Sequence, residues 1–301
     1  MQDCFEEKEY LKLLKNIVEN GSERKDRTGI GTRSIFGTQL RFSLKNNKIP
    51  MLTTKKMFSK GVIEELLFFL RGDTDTKQLE AKGVNIWKGN TTREFLDKRG
   101  LTHLPEGDMG KGYGYQWRNF DGGAHKVCFE GNKHYTAVSF DGTDQLANLI
   151  DGLKKDPNGR RHIISAWNPN QLEQMALPPC HILAQYYVDN GQLSSHFYMR
   201  SVDTFLGLPF NIMSYAIMNH IIAKTVGLIS KELIFSGGDT HIYLNHQEQV
   251  NEQISREPYA FPMLEINKDL NSVADIELLS FEDFKINGYI SHPAIKAVMA
   301  I

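Results

Sequence analysis

Apolar residues recur every three or four positions in four stretches of the chain, a spacing typical of helices with a buried face. The predicted helices cover residues 5–19, 60–70, 148–155 and 211–226. The first ends at Asn20-Gly21 and the last at Gly227, residue types that commonly terminate helices. The helix at 60–70 is apolar on most sides, so we expect it to be largely buried.

Alternating or short continuous apolar runs predict the strands. They cover residues 34–44, 162–167, 182–188, 193–199 and 235–236, with a further strand or helix start at 241–244. Asp189-Asn190-Gly191 joins two of these runs and is a strong signal for a tight hairpin. Gly237-Gly238-Asp239 predicts a turn, and the tail, 280–301, alternates only weakly.

The middle of the chain, residues 88–143, follows neither spacing and is rich in Gly, Asp, Lys and Asn. It predicts loops, with an insertion over the core around 118–145. No repeat, low-complexity tract or linker divides the sequence, so we expect a single domain over 1–301.

Composition excludes several classes of protein. The 301 residues carry a net charge of −1, which gives no general attraction to nucleic acid or acidic membranes, so any anion binding must be local. The three cysteines, Cys4, Cys128 and Cys180, form neither a disulfide framework nor a zinc pattern, and no metal is expected. The first residues are acidic and no apolar run is long enough to span a bilayer, which predicts a cytoplasmic protein without a signal peptide.

Cys180 is the strongest candidate for chemistry. It follows Pro178-Pro179, whose restricted backbone gives a rigid approach, and precedes His181 at the start of a predicted strand. A thiolate surrounded by cations is a competent nucleophile. The alternative is that Cys180 is a buried small hydrophobe, which is common for a lone cysteine.

Cations suited to a phosphate group occur at three places in the sequence. Arg27 lies in an Asp-Arg-Thr-Gly segment, Arg160-Arg161 precede an apolar strand, and Arg200-Ser201 follow the second strand of the hairpin. Guanidinium groups and a hydroxyl form several hydrogen bonds to phosphate. Any one of these arginines taken alone is more commonly a solvated surface charge.

Four further polar residues stand in apolar surroundings. Asn211 begins the long helix, where it could cap the helix or present a donor and an acceptor to a pyrimidine edge. His241 and Tyr243 would face the same side of an extended strand. Glu65 lies in an apolar helix, where a carboxyl group with a raised pKa could transfer protons.

Taken together and in this order, these segments resemble the thymidylate synthase family from about Tyr10 to Ile301. The matching segments are Lys25-Asp26-Arg27-Thr28-Gly29, Glu64-Glu65-Leu66-Leu67, Gln116-Trp117-Arg118, Arg160-Arg161 with Ser165-Ala166-Trp167-Asn168, Leu177 to His181, Arg200-Ser201 to Asp203, Phe205 to Asn211, Gly238 to Tyr243, and His292-Pro293 with Ile295-Lys296.

The resemblance implies a single α/β (α+β) domain, a mixed twisted sheet flanked by helices, that works as a homodimer. Its substrates would be deoxyuridine monophosphate (dUMP) and 5,10-methylenetetrahydrofolate. Catalysis would fall to Cys180, Glu65, Tyr113 and His181. The residues that would bind dUMP are Arg27, Arg200, Ser201, Asp203, Asn211, His241 and Tyr243, with Arg160 and Arg161 lent to the partner's site. Trp87, Asp203 and Gly207 would contact folate.

The chain departs from the family pattern at four places. Met199 replaces a glutamine, Lys88 an aspartate, Lys111-Gly112 a Pro-Val pair, and Phe68 another aromatic residue. Phe68 exchanges one large apolar ring for another. A methionine at position 199 also resembles the pattern of pyrimidine-nucleotide hydroxymethylases, in which water replaces hydride in the last step. The two lysines, Lys88 and Lys111, are expected near the folate side, where they could alter how the cofactor is closed over.

Three functions therefore stay open. We favour a synthase, because the family's C-terminal segment is kept and because Asn211 suits uracil where a cytosine-specific enzyme would carry aspartate. A deoxyuridylate hydroxymethylase is the alternative. An inactive nucleotide-binding regulatory protein is a remote third, since a fold alone does not guarantee chemistry. No basic stripe or aromatic platform supports RNA binding.

Overall fold

The computed structural model describes residues 4–123, 125–130, 133–138 and 141–298. The helices are α1 (Phe5–Asn20), α2 (Ser59–Arg71), α3 (Lys77–Ala81), α4 (Arg93–Lys98), α5 (Tyr113–Asn119), α6 (Gln145–Lys155), α7 (Gly207–Thr225), α8 (Gln247–Ile254) and α9 (Val273–Glu277). The strands are β1 (Ser22–Arg24), β2 (Thr32–Ser43), β3 (His125–Glu130), β4 (Lys133–Val138), β5 (Ile163–Ser165), β6 (His181–Asp189), β7 (Gln192–Asp203), β8 (Ile229–Tyr243), β9 (Met263–Ile266) and β10 (Phe284–Asn287). Within these ranges no helix is long and apolar enough to cross a membrane.

Six strands form one mixed sheet in the order β1-β2-β8-β7-β6-β5. Only the central pair, β7 and β8, runs parallel, with Phe197 opposite Phe235, and the other neighbours are antiparallel. The β6–β7 hairpin turns at Asn190 and Gly191, whose φ values of 49° and 73° are those of a tight hairpin turn. The predicted α/β fold with a mixed sheet is confirmed.

The core lies between the sheet and α7. The apolar residues of α7 surround the helix and most are fully buried, because the helix lies inside the protein. Tyr215 of α7 stacks on Phe197 of β7 with ring centroids 4.3 Å apart. Side chains alternate along a strand, so this contact identifies which face of β7 is the inner one.

The prediction of a turn at Gly237-Gly238 was wrong, since β8 continues through both glycines. A Cβ atom at Gly238 would lie 2.7 Å from the Tyr198 hydroxyl and 2.9 Å from the Arg200 carbonyl oxygen. These glycines therefore allow a close approach of neighbouring strands and do not break the chain.

The prediction of loops over 88–143 was wrong in part, because α4, α5 and an antiparallel β3–β4 pair lie there. Every residue of α5 is buried, so the segment has no polar face for a periodicity argument to detect. Of the predicted insertion at 118–145, residues 124, 131–132 and 139–140 lie outside the described residues. Its base is held by the Lys111 ammonium and the Gln171 side-chain amide, which donate to the Gly122 carbonyl oxygen at 3.0 and 3.1 Å.

Candidate active site

A cavity of about 650 Å³ opens beside Cys180, at the end of the sheet where β7 and β8 finish. Its walls come from the segment after β1, the C-terminal end of α4, the approach to β6 and the ends of β7 and β8. The lining residues are Arg24, Lys25, Asp26, Arg27, Thr32, Phe95, Lys98, Arg99, Leu177, Pro178, Cys180, Arg200, Ser201, Asp203, Asp239, His241 and Tyr243. Seven predicted site residues are thus brought together: Arg27, Cys180, Arg200, Ser201, Asp203, His241 and Tyr243.

The backbone around the Cys180 thiol is fixed from two sides. The Cys180 N–H donates to the Tyr113 hydroxyl at 2.8 Å. Arg200 donates from Nε to the Pro179 carbonyl at 2.8 Å and from Nη2 to the Pro178 carbonyl at 3.0 Å. The rigid approach predicted from the two prolines is therefore also held by an arginine of the neighbouring strand.

Burial raises the pKa of the Cys180 thiol above its ordinary value, although Arg200, Arg27 and the Tyr113 contact each act to lower it. The expectation that surrounding cations favour the thiolate is right in sign for both arginines. Within one chain, however, loss of hydration outweighs them, because a buried charge is costly unless fully compensated.

The cationic side of the cavity starts at the turn after β1. The Asp26 carboxylate accepts hydrogen bonds from the Thr28 N–H, the Thr28 hydroxyl and the Gly31 N–H. This fixes the turn and leaves the neighbouring Arg27 exposed at the cavity. Arg160 and Arg161 do not line this cavity; both are exposed just before β5.

His241 and Tyr243 project from β8 into the cavity, as their spacing predicted. The two rings meet edge to face with centroids 5.4 Å apart. His241 Nδ1 lies 3.1 Å from one oxygen of Asp239, and Arg24 donates to the other oxygen at 3.0 Å. Asp239 therefore orients the imidazole and is itself held by a cation.

A wall of aromatic rings lies behind Cys180 and contains the other predicted catalytic residues. The Trp87 indole N–H donates to Glu65 at 2.7 Å, and burial raises the pKa of that carboxyl group to about 7. Tyr113 stacks on His181 with ring centroids 4.1 Å apart, and it meets Trp87 edge to face at 5.8 Å. Burial lowers the pKa of His181 to about 3, so its imidazole is neutral at physiological pH.

The start of α7 holds the last group of predicted residues. Asp203 accepts from the N–H groups of Phe205 and Leu206 at 3.1 and 3.0 Å, which shapes the turn into the helix. Asn211 lies one turn inside α7 and donates to the Gly207 carbonyl at 3.0 Å. The interpretation of Asn211 as a helix cap is therefore wrong, because the helix begins four residues earlier.

A family model described as thymidylate synthase matches residues 8–301. The chain belongs to the thymidylate synthase family. It is 46% identical over 296 residues to the thymidylate synthase of Ascaris suum, covering 98% of this chain and 97% of that protein. It is 47% identical over 314 residues to the thymidylate synthase of Candida albicans, covering 98% of each.

A bifunctional dihydrofolate reductase-thymidylate synthase of Leishmania major is 47% identical over 298 residues, which cover 98% of this chain and 55% of that protein. The chain thus spans about half the length of that relative. The family predicted from the motifs is confirmed.

Three departures from the pattern of the thymidylate synthase family lie outside the cavity lining. Met199 is buried in the core of β7. Lys88 is exposed and pairs with Glu80 at 3.2 Å, and Lys111 is buried against Gly122. The expectation that Lys88 and Lys111 lie on the folate side thus has no support from their contacts. Phe68 is fully buried, as expected for a ring exchanged for another ring.

The sequence reasoning missed Arg24, Lys98 and Arg99 of the cavity lining, and also the buried Lys55, which interacts with the lining residue Asp203. Lys55 is almost fully buried, with its ammonium donating to the Phe205 carbonyl and lying 3.8 Å from the centroid of that ring. Burial lowers the pKa of Lys55 to about 7, opposed by the Asp203 carboxylate. Arg99 lines the cavity from the end of α4. Nothing in the local sequence distinguishes Lys55 or Arg99 from a surface cation, since their partners are distant along the chain.

No cluster of three or more His, Cys, Asp or Glu side chains within the described ranges is arranged to hold a metal ion. The cavity lining instead combines arginines, lysines, hydroxyl groups, a histidine and one thiol with three aspartates, and its excess of cations suits an anionic organic substrate.

Proposed function

We propose that this protein catalyses the thymidylate synthase reaction, in which dUMP and 5,10-methylenetetrahydrofolate give thymidylate and dihydrofolate. The observation that carries the proposal is the meeting of a partly buried thiol with Arg27, Arg200, Ser201 and His241 in one cavity. A thiol and a phosphate-binding group in one cavity are what covalent chemistry on a nucleotide requires.

The residue types fit each step. The Cys180 thiolate adds to carbon 6 of uracil, which makes carbon 5 an enolate carbon able to attack the one-carbon unit of the cosubstrate. Loss of the carbon 5 proton and of the folate amine leaves an exocyclic methylene. Hydride from the folate reduces that methylene, the thiolate leaves carbon 6, and the folate becomes dihydrofolate.

The remaining residues divide into recognition and proton transfer. Arg27, Arg200 and Ser201 would bind the phosphate, and His241 with Tyr243 the deoxyribose hydroxyl. Asn211 would read the uracil edge through its amide. Trp87, Asp203 and Gly207 would contact the folate. Glu65, Tyr113 and His181 would manage protons, a role that the raised pKa of Glu65 supports.

A homodimer is part of the proposal and has two supports. The first is the outer face of the sheet, opposite α7, where Tyr187 and Ile163 are 64% and 40% exposed. Apolar groups on an open sheet face are suited to association with a second copy. The second is the position of Arg160 and Arg161, exposed before edge strand β5 and outside their own chain's cavity. Two more guanidinium groups from the partner would add anion-binding capacity and lower the pKa of Cys180.

Product analysis tests the reaction. Purified protein with dUMP and methylenetetrahydrofolate should generate dihydrofolate absorbance and a nucleotide with the mass of thymidylate. A hydroxymethylase would release the carbon 5 proton without dihydrofolate and give a hydroxymethyl nucleotide. An inactive regulatory protein would give neither product and would form no covalent adduct with 5-fluoro-dUMP and folate. No residue of the cavity lining favours either alternative.

Mixing two inactive variants tests the shared site. Cys180→Ala keeps the arginines, and the double variant Arg160→Ala/Arg161→Ala keeps the thiol. If the arginines act across the interface, subunit exchange recovers up to half of the wild-type activity per mixed dimer, because one of its two sites is complete. No recovery after verified exchange would show that the arginines do not act across the interface.

A further inference from the structure

The hydroxyl group of Tyr215 contacts a ring nitrogen of His181 inside the core. The distance from the Tyr215 oxygen to His181 Nδ1 is 2.9 Å, and both residues are buried. Within the part of the chain that the structure describes, this is the only hydrogen bond of the Tyr215 hydroxyl. The other ring nitrogen, Nε2, forms no hydrogen bond with a described residue, so it remains available to a ligand or a water.

The two atoms share one proton, and the hydrogen-bond partners available to each atom show which of them carries it. If Nδ1 carried it, the tyrosine oxygen would accept and its own O–H would be buried without an acceptor. An unpaired buried donor costs about 1–3 kcal/mol. If tyrosine carries it, the O–H donates to Nδ1 and both atoms are satisfied. Burial raises the pKa of Tyr215 and lowers that of His181, which agrees with a neutral pair in which the phenol keeps its proton.

The geometry leaves little freedom for either ring. Tyr215 is stacked on Phe197 at 4.3 Å with an interplanar angle of 11° and meets Trp117 edge to face at 6.3 Å. His181 is stacked on Tyr113 at 4.1 Å and lies nearly perpendicular to Tyr215, at 86°. A ring flip of His181 would break its stack or its hydrogen bond.

We propose that Tyr215 is a positioning residue that fixes His181 as the neutral tautomer with its proton on Nε2. His181 is thereby a hydrogen-bond donor, and not an acceptor, toward any substrate oxygen or water that reaches its Nε2 atom. The inference deepens the proposed function and rests on it for the role of His181 in turnover, but the tautomer itself is a property of the free protein.

The tautomer can be measured directly. Nitrogen-15 NMR of histidine-labelled protein, with His181 assigned through His181→Asn, should show a protonated Nε2 and an unprotonated Nδ1. In Tyr215→Phe the His181 signals should move toward a mixture of tautomers, because the donor is gone while the stacked ring stays. A wild-type protein with the proton on Nδ1 would overturn the proposal, whatever the variants do.

Kinetics test the consequence. Tyr215→Phe should lower kcat about tenfold, which corresponds to about 1.4 kcal/mol in the barrier, and leave the KM for dUMP within about twofold. Tyr186→Phe is the matched control, because Tyr186 is equally buried on β6 but its hydroxyl has no hydrogen-bond partner among the residues that the structure describes. It should leave kcat unchanged.

A double-mutant cycle separates this role from a general effect on packing. In a His181→Asn background, Tyr215→Phe should cost no further activity, because the group it positions is absent. Losses that add instead would overturn the proposal and leave the proposed function standing. Full activity of Cys180→Ala would remove the proposed function and leave the tautomer measurement intact.

Discussion

The two sides of the Cys180 thiol differ in how much of the site a single chain completes. On the inner side, Glu65, Trp87, Tyr113 and His181 are joined by hydrogen bonds and ring contacts. On the outer side, Arg27 is exposed and has no ion pair with the residues that the structure describes. The inner side is preorganised, whereas on the outer side Arg27 stays without an ion pair among the described residues.

Under the proposed function, this difference means that the groups for proton transfer and those for anion recognition are built by different means. Proton-transfer groups need fixed tautomers and shifted pKa values, which only a dry and packed environment provides. Recognition groups must stay hydrated until an anion arrives. Cys180 lies at the boundary, where loss of hydration raises its pKa despite the two arginines nearby.

The largest expected effect comes from removing the Cys180 sulfur, which lies between the inner and the outer side. If Cys180 is the proposed nucleophile, Cys180→Ala should lower kcat by a factor of about 10³ or more, because the variant lacks the group that forms the bond to carbon 6. Steady-state assays and trapping with 5-fluoro-dUMP measure it. Cys4→Ala, at the other end of the molecule, is the control and should retain full activity. A Cys180→Ala protein with wild-type turnover would refute a covalent mechanism.

Replacing Arg200 with lysine should weaken both the support of the Cys180 backbone and the binding of an anion. A lysine ammonium cannot hold the Pro178 and Pro179 carbonyls and also bind a phosphate, so we expect kcat/KM for dUMP to fall about 100-fold. Arg41→Lys, at an exposed ion pair with Glu232, should change kcat/KM by less than about twofold. Equal effects of the two substitutions would show that guanidinium geometry at Arg200 is irrelevant.

Glu65→Gln tests the inner side through pH. The folded-state pKa of about 7 exceeds the unfolded value of 4.5, so the wild-type carboxyl loses stabilising free energy as pH rises between these values. At pH 8 the glutamine variant should be the more stable by up to about 3 kcal/mol, with a far smaller difference at pH 5. Its kcat should fall about 100-fold, since an amide cannot transfer the proton.

Thermal unfolding at the two pH values measures the stability change. Glu64→Gln serves as the control, because Glu64 is paired with Lys82 at 2.6 Å and its removal should give no gain at pH 8. A Glu65→Gln protein that is no more stable at pH 8 than at pH 5, relative to wild type, would contradict the raised pKa.

The smallest effect should come from residues that differ from the family pattern and lie outside both sides of the site. Lys111→Gln removes a buried donor to Gly122 and should cost about 1–2 kcal/mol in the free energy of unfolding, measured by urea titration. The ratio of dihydrofolate to hydroxymethyl product should not change. Lys88→Gln, at an exposed ion pair, should change stability by less than about 0.5 kcal/mol. A shift in product ratio at either lysine would revive the hydroxymethylase interpretation.

The sequence located the elements whose signals are local. The hairpin at Asp189-Asn190-Gly191 requires positive φ angles that those residues tolerate, and α7 is a long apolar run ended by glycine. The same local rule failed at Gly237-Gly238, where close strand packing explains the glycines. It also failed for α5, which is buried on every side.

For the site, the residue types in the sequence predicted the chemistry, but they did not predict which side chains contact each other. Seven predicted residues meet in the cavity because the ends of β7, β8 and the approach to β6 converge. Arg200 donates hydrogen bonds to two proline carbonyls, and Lys55 is buried against Phe205. Both arrangements depend on partners far along the chain. The net direction of the Cys180 pKa shift depends on the balance of lost hydration and nearby charge, which follows from the three-dimensional arrangement and not from the local sequence.

The glycine pair inside β8 has a consequence for mutational surveys. An alanine at Gly238 would press on the Arg200 main chain, and the arginine in turn holds the proline carbonyls before the thiol. A methyl group on a strand that never touches the sulfur would thus displace the nucleophile. In a deep mutational scan, Gly238 should therefore score like a member of the catalytic set while the protein remains folded.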